Sequence, residues 1–343
     1  MVAPPWFEVP PSAYGGTEEV VAGLVDGLVR RGHEVTLIAS GAAKTKAVRQ
    51  FGAFSTPPTS LLGNDAMPEV IHAAEAARVL ETLDLDLVHD HSLVGPLLAR
   101  GRRIPTVMTI HAPVSGSNLD YFTRLGTSVA MVSISQAQRA AAPWLNWCGT
   151  VPNAIDVASY RFEPNKSNRV LWIGRFSPDK GAHLAIDAAR QAGRPIVLAG
   201  KLNEEVEKRY FAEYITPRLG ADVDYAGEAS ASLKRELFAQ AACLLFPIQW
   251  EEPFGMVMIE AMACGTPVIA VRRGSVPEVI VDDLTGILVD RPEQIPAAIE
   301  RAATLKPIDC RRHVETHFDL PNLAAGYEAI YLNSIARSAA ANG

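Results

Sequence analysis

Short apolar runs alternate with helical patterns along this chain, and no other feature limits the fold as strongly. Between Thr17 and Arg31, for example, apolar residues recur every three or four positions, which is typical of a helix with one buried face. Strands and helices that alternate in this way predict a parallel sheet covered by helices on both faces. The sequence therefore predicts an α/β protein.

The predicted elements can be placed along the chain from these patterns. Residues 1–3 form only a stub of a first strand, and Thr17 and Gly32 are expected to cap the first helix. Further strands are predicted at residues 33–39, 85–89, 104–111, 129–135, 170–174, 196–200, 223–227, 243–247 and 267–271. Further helices are predicted at residues 68–83, 182–192, 233–241, from about 255 up to Gly265, and 320–336.

The pattern breaks once, near the middle of the chain, and then restarts. Residues 151–156 lead into a polar stretch, residues 161–169, which we interpret as a linker. A chain of 343 residues also exceeds what one hydrophobic core usually serves. We expect two Rossmann-like domains, residues 1–157 and 158–318, which face each other across a ligand-binding cleft. A last helix at about residues 319–337 could pack back on the first domain.

Composition excludes several classes of protein. Hydrophobic residues make up 48% of the chain and the net charge is −6, so the chain is neither disordered nor suited to binding nucleic acid. It contains no run of about 18 apolar residues and no signal-peptide pattern, although peripheral membrane contact stays open. Its widely spaced cysteines indicate a reducing compartment, so we expect a cytoplasmic protein of undetermined oligomeric state. These cysteines are Cys148, Cys243, Cys264 and Cys310.

The segment from Trp250 to Gly265 carries the most chemical information. It follows an apolar strand and opens a helix, and a helix N-terminus presents free N–H groups that suit a phosphate or sugar oxygen. Glu252 lies just before this helix and Glu260 lies two turns inside it, roughly 12 Å away at the helical rise. That spacing is too long for the paired carboxylates of a hydrolase. It does match the span from the sugar of a nucleotide-sugar to its ribose.

The run Glu252-Pro-Phe-Gly…Glu260 resembles the two-glutamate signature of the family 4 retaining glycosyltransferases, in which seven residues separate the glutamates. Other segments occur in the order that this family has, and the similarity extends from Val2 to about Tyr331. The resemblance implies the GT-B fold and transfer of a sugar from a nucleotide-diphosphate sugar, with UDP favoured, to an unidentified acceptor. The additional segments are Gly15-Gly16, His111, Val151–Asp156, Gly174–Gly181, Ala199-Gly200, Gly227-Glu228 and Gly265–Val268.

The resemblance also implies which residues contact the donor diphosphate. Arg175 and Lys180 would bind it as cations, and the Gly15-Gly16 turn would offer it a backbone N–H from Gly16. In this family the acceptor attacks on the face from which the nucleotide leaves, and a donor phosphate oxygen takes the acceptor proton. The resemblance implies no metal and no other cofactor.

Further roles implied by the resemblance concern the sugar and the nucleoside. Glu252 would contact the donor sugar together with the backbone of residues 254–257, and His111 would face the same sugar from the first domain. Glu260 would accept hydrogen bonds from the ribose hydroxyls, and Glu228 is a candidate for contact with the base. The residues that contribute this backbone are Phe254, Gly255, Met256 and Val257.

Some of these residues also have purely structural interpretations. Gly15-Gly16 could be a tight turn, His111 a structural histidine and Arg175 a surface cation. The segment His89-Asp90-His91 suggests a metal site, but neighbouring strand residues alternate faces, so we interpret it as structural. The sequence also departs from the family where Asn153 is followed by Ala154 rather than glycine, which indicates a changed turn.

Two other classes of function stay open at this point. The first is another enzyme on two Rossmann-like domains, either a nucleotide-sugar epimerase or a nicotinamide dehydrogenase, although the G-x-G-x-x-G fingerprint of the dehydrogenases is missing. The second is a non-catalytic, two-lobed sugar-binding protein. Such a protein would need Arg175 and Lys180 only for a phosphorylated ligand.

Overall fold

The computed structural model of the chain describes residues 1–12 and 15–342. The chain forms two compact units. One contains residues 1–155 and the C-terminal helix that starts at Leu320, and the other contains residues 156–319. None of the described helices is apolar over a stretch long enough to cross a membrane.

A parallel sheet forms the centre of the first unit. Its strands are β1 Thr36–Ile38, β2 Arg49–Phe51, β3 Val88–Asp90, β4 Thr106–Thr109, β5 Ala130–Ser133 and β6 Trp147–Thr150. Strand β1 pairs with β2, and β3 to β6 pair in sequence order. Val2 forms parallel bridges to Ile38 and Asp90, so a single residue of the predicted first strand joins the two parts of the sheet.

The helices of the first unit cover this sheet. They are α1 Gly16–Arg30, α2 Met67–Leu80, α3 Gly116–Leu125, α4 Gln136–Ala140 and the C-terminal helix Leu320–Asn342. Glycines in α1 allow the C-terminal helix to approach closely. A Cβ added at Gly27 would lie 2.8 Å from the Cβ of Ala324, and one at Gly23 would lie 2.5 Å from a methyl group of Leu320.

The second unit contains a six-stranded parallel sheet. Its strands are β7 Val170–Ile173, β8 Ile196–Ala199, β9 Val223–Tyr225, β10 Leu244–Phe246, β11 Val268–Val271 and β12 Gly286–Val289. Their order is β12-β11-β10-β7-β8-β9. The strand order therefore reverses between β7 and β10. In doubly wound sheets a ligand binds beyond the carboxyl ends of the strands at such a point.

Seven helices are described in the second unit. They are α5 Ala182–Gln191, α6 Glu205–Tyr210, α7 Ala231–Gln240, α8 Met256–Ala263, α9 Val276–Val279, α10 Ile295–Ala302 and α11 Pro307–His317. The core includes Trp172, Phe176 and Ile186, which are fully buried in one cluster with the strands. Helix α8 is apolar almost throughout and buries Met258, Ile259 and Met262, which makes the carboxylate of Glu260 unusual in its surroundings.

The prediction of an α/β fold is confirmed, but some predicted details are wrong. Helix α1 begins at Gly16 and has Gly15 at its N-cap without a side-chain hydrogen bond, so Thr17 is not the cap. Gly32 does follow the helix with a φ of +94°, as predicted. Strand β2 was not predicted, because residues 49–51 are largely exposed and contain no apolar run.

Candidate active site

The loops after β7 and β10 pack closely against each other at the point where the strand order of the second unit reverses. Gly181 ends the first loop with a φ of +70°, and a Cβ there would lie 2.4 Å from the carbonyl oxygen of Pro247 in the second loop. The amide of Gln249 donates to the carbonyl oxygen of Asp179 at 2.7 Å. Only glycine fits at position 181 without displacing the second loop.

Lys180 and Glu252 form an ion pair between these two loops. The Nζ atom of Lys180 lies 2.5 Å from Oε2 of Glu252, and the exposed fractions of the two side chains are 16% and 8%. Trp250 donates from Nε1 to the same carboxylate oxygen at 3.0 Å. The ammonium group also lies 4.6 Å from the centre of the Trp250 ring, within the range of a cation–π interaction.

The ion pair fixes the position of Lys180 but leaves part of its hydrogen-bonding capacity available. Trp172 donates from Nε1 to the backbone oxygen of Lys180 at 3.1 Å, which holds the main chain as well. An ammonium group has three donors, and one of them serves Glu252. The remaining donors can bind an anion beside Glu252.

Arg175 lies two residues after the end of β7 and is half-buried. Within residues 1–12 and 15–342, its guanidinium takes part in no hydrogen bond or ion pair, whereas its backbone oxygen accepts from the amide of Ser177 at 2.9 Å. A planar guanidinium suits bidentate contact with phosphate oxygens. The second unit therefore carries two cations, Arg175 and Lys180, in the loop that follows its first strand.

The loop before α8 is held by the segment that follows β11. The amide of Ser275 donates to the backbone oxygen of Glu252 at 2.9 Å, and the Ser275 hydroxyl donates to that of Phe254 at 2.9 Å. Gly255 then turns into the helix with a φ of +81°. The first helical turn leaves the amides of Met256 and Val257 without intrahelical partners, so they can donate to an oxygen.

Glu260 is held inside the protein by two hydrogen-bond donors. Its side chain is buried, and its Oε1 atom accepts from Nζ of Lys234 at 2.6 Å and from the hydroxyl of Tyr160 at 3.0 Å. The guanidinium of Arg235 lies 5.2 Å from the centre of the Tyr160 ring. Both donors use the same carboxylate oxygen, which leaves the lone pairs of Oε2 for another partner.

Sequence reasoning missed three of these supporting residues, Lys234, Tyr160 and Trp250. Lys234 lies in the first turn of α7 and Tyr160 lies just before the predicted linker, so both are far from Glu260 along the chain. No rule based on sequence spacing predicts that Lys234 and Tyr160 contact Glu260. Trp250, two residues before Glu252, was visible as an aromatic residue beside a candidate carboxylate, and that signal could have found it.

The other predicted donor residue of the second unit, Glu228, lies apart from these ion pairs. It is exposed and follows Gly227, which ends the stretch after β9 with a φ of +75°. The carbonyl oxygen of Gly227 accepts from the amide of Gly200 after β8. Glu228 thus lies near the carboxyl ends of two neighbouring strands, where contact with a base is feasible.

The first unit contains Gly15, Gly16 and His111. Gly15 has a φ of +148° and a Cβ there would lie 2.8 Å from Pro11, so the turn into α1 requires glycine. His111 follows β4, and its Nε2 atom lies 2.9 Å from Nδ1 of His91. Burial lowers the pKa of His111 to about 4, so the ring is neutral at physiological pH.

His89, Asp90 and His91 have structural partners in the first unit. The ring nitrogens of His89 bond to the hydroxyls of Tyr331 at 2.6 Å and Thr109 at 2.8 Å. Asp90 accepts from the Ser92 hydroxyl at 2.7 Å. Across the part of the chain that the structure describes, no three His, Cys, Asp or Glu side chains are grouped so that they could hold a metal ion.

Comparison with known proteins gives matches along most of the chain. Residues 14–158 match the family described as Glycosyltransferase Family 4, and residues 159–315 match the family described as Glycosyl transferases group 1. A relative in Bacillus subtilis (strain 168), YtcC, is a glycosyltransferase by name and is 30% identical over 180 residues. The match covers 47% of this chain and 44% of YtcC, so the chain spans less than half the length of that relative.

Solved structures match over nearly the whole chain. AviGT4, a glycosyltransferase involved in avilamycin A biosynthesis, is 28% identical, with a TM-score of 0.73 and coverage of 98% of this chain and 97% of that one. Alr3699/HepE of Anabaena, solved with UDP and glucose, is 20% identical, with a TM-score of 0.76 and coverage of 97% and 99%. At 20% identity, the similarity to Alr3699/HepE shows a shared fold only.

Proposed function

The chain belongs to family 4 of the glycosyltransferases and has their GT-B fold, and we propose that it is a retaining enzyme that transfers a sugar from a nucleotide-diphosphate sugar to an acceptor hydroxyl. The family and the fold predicted from the two-glutamate run are confirmed. The roles of the individual residues, the donor and the acceptor are our proposals.

The observation that carries the proposal is the Lys180–Glu252 ion pair, with Arg175 in the same loop as Lys180. The pair lies where the strand order reverses between β7 and β10, next to the free amides at the start of α8. Cations and amides at this point can bind a diphosphate, while the carboxylate of Glu252 can accept from a sugar hydroxyl. A nucleotide-sugar carries a diphosphate directly beside sugar hydroxyls.

The reaction that we propose breaks the bond between the anomeric carbon and the β-phosphate oxygen. The acceptor oxygen bonds to the anomeric carbon on the same face, and its proton passes to an oxygen of the departing phosphate. Negative charge grows on that phosphate as the sugar leaves. Arg175, Lys180 and the α8 amides stabilise this charge, so their contacts strengthen in the transition state.

Glu260 is our proposed ligand for the ribose. Lys234 and Tyr160 occupy its Oε1 atom and hold the carboxylate in place, and Oε2 can accept from ribose hydroxyls. Glu228 is the proposed contact to the base. We favour UDP as the nucleotide, in line with the donor that the family resemblance implied.

Further proposals concern the surroundings of the reaction. We propose that transfer requires no metal, because the cations of Arg175 and Lys180 can compensate the charge of the diphosphate. We also keep the prediction of a cytoplasmic enzyme. This prediction rests on the wide spacing of the four cysteines along the chain.

A panel of UDP, GDP, ADP and dTDP sugars tests the proposed function. Each sugar is incubated with the protein and a mixture of polyol and glycoside acceptors, and both free nucleotide and glycosylated product are measured. We expect one nucleotide class to be released together with product. Release with an altered sugar but no product would favour the epimerase, and binding without release would favour a sugar-binding protein.

The panel needs a control for contaminating activity. Lys208→Ala is suitable, because Lys208 is an exposed cation on α6 whose ion-pair partner within the described residues is Glu205 on the same helix. It should retain full release, whereas Arg175→Ala should lose it. Equal release by both variants would either contradict the role of Arg175 or reveal a contaminating enzyme, and a mock preparation that lacks the protein separates these two outcomes.

A further inference from the structure

Met1, His91 and His111 form a hydrogen-bonded line in the first unit. The Nδ1 atom of His91 lies 2.9 Å from Nε2 of His111, and the Nε2 atom of His91 lies 3.1 Å from the sulfur of Met1. The rings of His91 and His111 are stacked, with their centres 5.2 Å apart. Both nitrogens of His91 are therefore committed to identified partners.

The thioether of Met1 determines which nitrogen of His91 carries a proton. A thioether sulfur has no hydrogen and can only accept, so the Nε2 atom of His91 must be the donor in this contact. A neutral imidazole has one N–H and one lone pair. The Nδ1 atom of His91 therefore has the lone pair and accepts from Nε2 of His111.

Both rings are neutral at physiological pH, as this argument requires. Burial, with the neighbouring rings of His89 and His111, lowers the pKa of His91 well below its ordinary value. Burial alone lowers the pKa of His111 to about 4. His89 also packs against His91 with ring centres 4.0 Å apart, which opposes a flip of the His91 ring.

We infer that His91 is a positioning residue, which holds His111 as the Nε2–H tautomer so that Nδ1 of His111 offers a lone pair to a hydroxyl of a bound sugar. The second half of this statement rests on the proposed function and on the role that the family resemblance implied for His111, contact with the donor sugar. In the described residues, Nδ1 of His111 has no protein hydrogen-bond partner. His111 then accepts from the sugar and cannot donate a proton to the leaving phosphate.

Long-range ¹H–¹⁵N spectra of the full chain with ¹⁵N-labelled histidine test the tautomer directly. The sample is wild-type protein whose intact mass includes Met1, and signals are assigned by their loss in His91→Phe and His111→Phe. We expect protonated Nε2 and unprotonated Nδ1 atoms in both rings at neutral pH. A proton on Nδ1 of His111 would overturn the inference, whatever reaction the protein catalyses.

Two substitutions at position 91 test the consequence for transfer. His91→Asn can place its Oδ1 atom near the former Nδ1 position and accept from His111, whereas His91→Phe fills the space without an acceptor. We expect His91→Phe to lower kcat/KM for the donor by roughly tenfold, the size expected for one hydrogen bond, and His91→Asn to recover most of that loss. Affinity for UDP alone should be unchanged in both variants.

The outcomes separate the inference from the proposed function. Equal losses in the Asn and Phe variants would contradict a positioning role even if the wild-type tautomer is as expected. If no donor is turned over by the wild type, the proposed function fails, and the spectra still decide which tautomer His111 adopts.

Discussion

At the scale of single residues, the candidate site contains two buried glutamates that each bind a lysine. Glu252 binds Lys180 and Glu260 binds Lys234, at 2.5 and 2.6 Å. A buried carboxylate is costly unless it is paired and hydrogen-bonded. The tryptophan and tyrosine donors at these pairs meet that requirement. The carboxylates are thereby held in fixed positions where a sugar and a ribose are proposed to bind.

Replacement of the two cations that we propose to bind the diphosphate should slow turnover more than it weakens donor binding. Arg175→Ala and Lys180→Ala are each expected to lower kcat by roughly 10²- to 10³-fold, because the charge on the leaving phosphate grows in the transition state. The double variant should lose less than the product of the single effects, since both cations serve one group. Steady-state kinetics with the best donor measure this.

A check on folding must accompany these kinetics. Lys180→Ala leaves the buried Glu252 without its cation, so its thermal unfolding is compared with that of wild type and of the exposed control Lys208→Ala. A folded single variant whose kcat stays within about threefold of wild type would show that its cation is a surface charge.

Loss of the Glu260 carboxylate should weaken nucleotide binding. Glu260→Ala is expected to raise the Kd of UDP roughly 10- to 100-fold, because charge-assisted hydrogen bonds to the ribose hydroxyls are lost. Glu252→Ala should leave that Kd nearly unchanged, since Glu252 is proposed to act at the sugar. Calorimetry with free UDP measures both values. Wild-type affinity in the Glu260 variant would remove its assignment to the ribose.

Glu18 should make stability depend on pH. Burial raises the pKa of this carboxyl in α1 from its ordinary 4.5 to about 7, and the side chain is only 4% exposed. Between these two values the folded chain holds a proton that the unfolded chain has lost, so this group reduces stability as the pH rises. Glu18→Gln should therefore match wild type near pH 4 and exceed it by about 3 kcal/mol near pH 8.

Urea unfolding of both proteins across that range measures the difference. Other buried groups, such as Asp90, titrate in the same window, but they contribute to both proteins alike and cancel in the comparison. A stability difference that does not grow between about pH 5 and pH 8 would contradict the prediction.

At the scale of elements, most of the parallel sheets could be predicted from sequence. Strands β7, β8 and β11 lie within their predicted ranges because each is a short, buried, continuous apolar run. Helix α5 was predicted to within one residue for a different reason: apolar residues such as Ala182, Ile186 and Ala189 recur with the helical period and are buried. Helix α11 gave no usable signal, since Pro307–His317 is largely polar and buries only Cys310 and Val314. Its place depends on tertiary contacts that periodicity does not show.

The candidate site was predictable only in part, and for a related reason. Glu252, Glu260, Arg175 and Lys180 lie in recognisable runs beside predicted strands. Their partners come from other elements: Tyr160 lies about 100 residues before Glu260 along the chain. Contacts between such distant segments are set by the packing of the whole unit, so no local pattern could pair them.

Gly274 should be essential for the loop that carries Glu252. A Cβ at this position would lie 2.3 Å from the backbone oxygen of Glu252, and the φ of Gly274 is +53°. Gly274→Ala therefore combines backbone strain with a clash, and we expect roughly 2–4 kcal/mol of destabilisation with a large loss of kcat. Gly193→Ala is a matched control, because Gly193 has a φ of +63° and open space around it.

The comparison of these two glycine variants isolates the clash from the strain. Gly193→Ala should cost roughly 1 kcal/mol and keep kcat. Urea unfolding and steady-state kinetics give both quantities for each variant. If the two variants lose the same stability and the same kcat, the close contact at Gly274 does not support the Glu252 loop.

At the scale of the whole molecule, the two units share one plan of strand order. In the first unit the strand order begins β2, β1, Val2, β3, and in the second it begins β9, β8, β7, β10. In each sheet the strand order therefore reverses beside the strand that comes first along the chain. In each unit the first crossover enters a glycine-containing loop before a helix, at Gly15-Gly16 and at Gly181. The units therefore differ in the side chains of this loop and not in strand order. Two cations lie in the loop after the first strand of the second unit, and none lies in the corresponding loop of the first unit.

Positively charged groups of the protein itself could replace a metal ion at the diphosphate, and this predicts the effect of metal removal. A nucleotide diphosphate that leaves must have its charge compensated, either by a divalent cation or by protein groups. Arg175, Lys180 and the α8 amides can do this from the second unit alone. We therefore expect the transfer rate to survive prolonged treatment with EDTA. A complete loss that Mn²⁺ or Mg²⁺ restores would show that a metal carries the leaving-group charge, and the proposed roles of Arg175 and Lys180 would then be wrong.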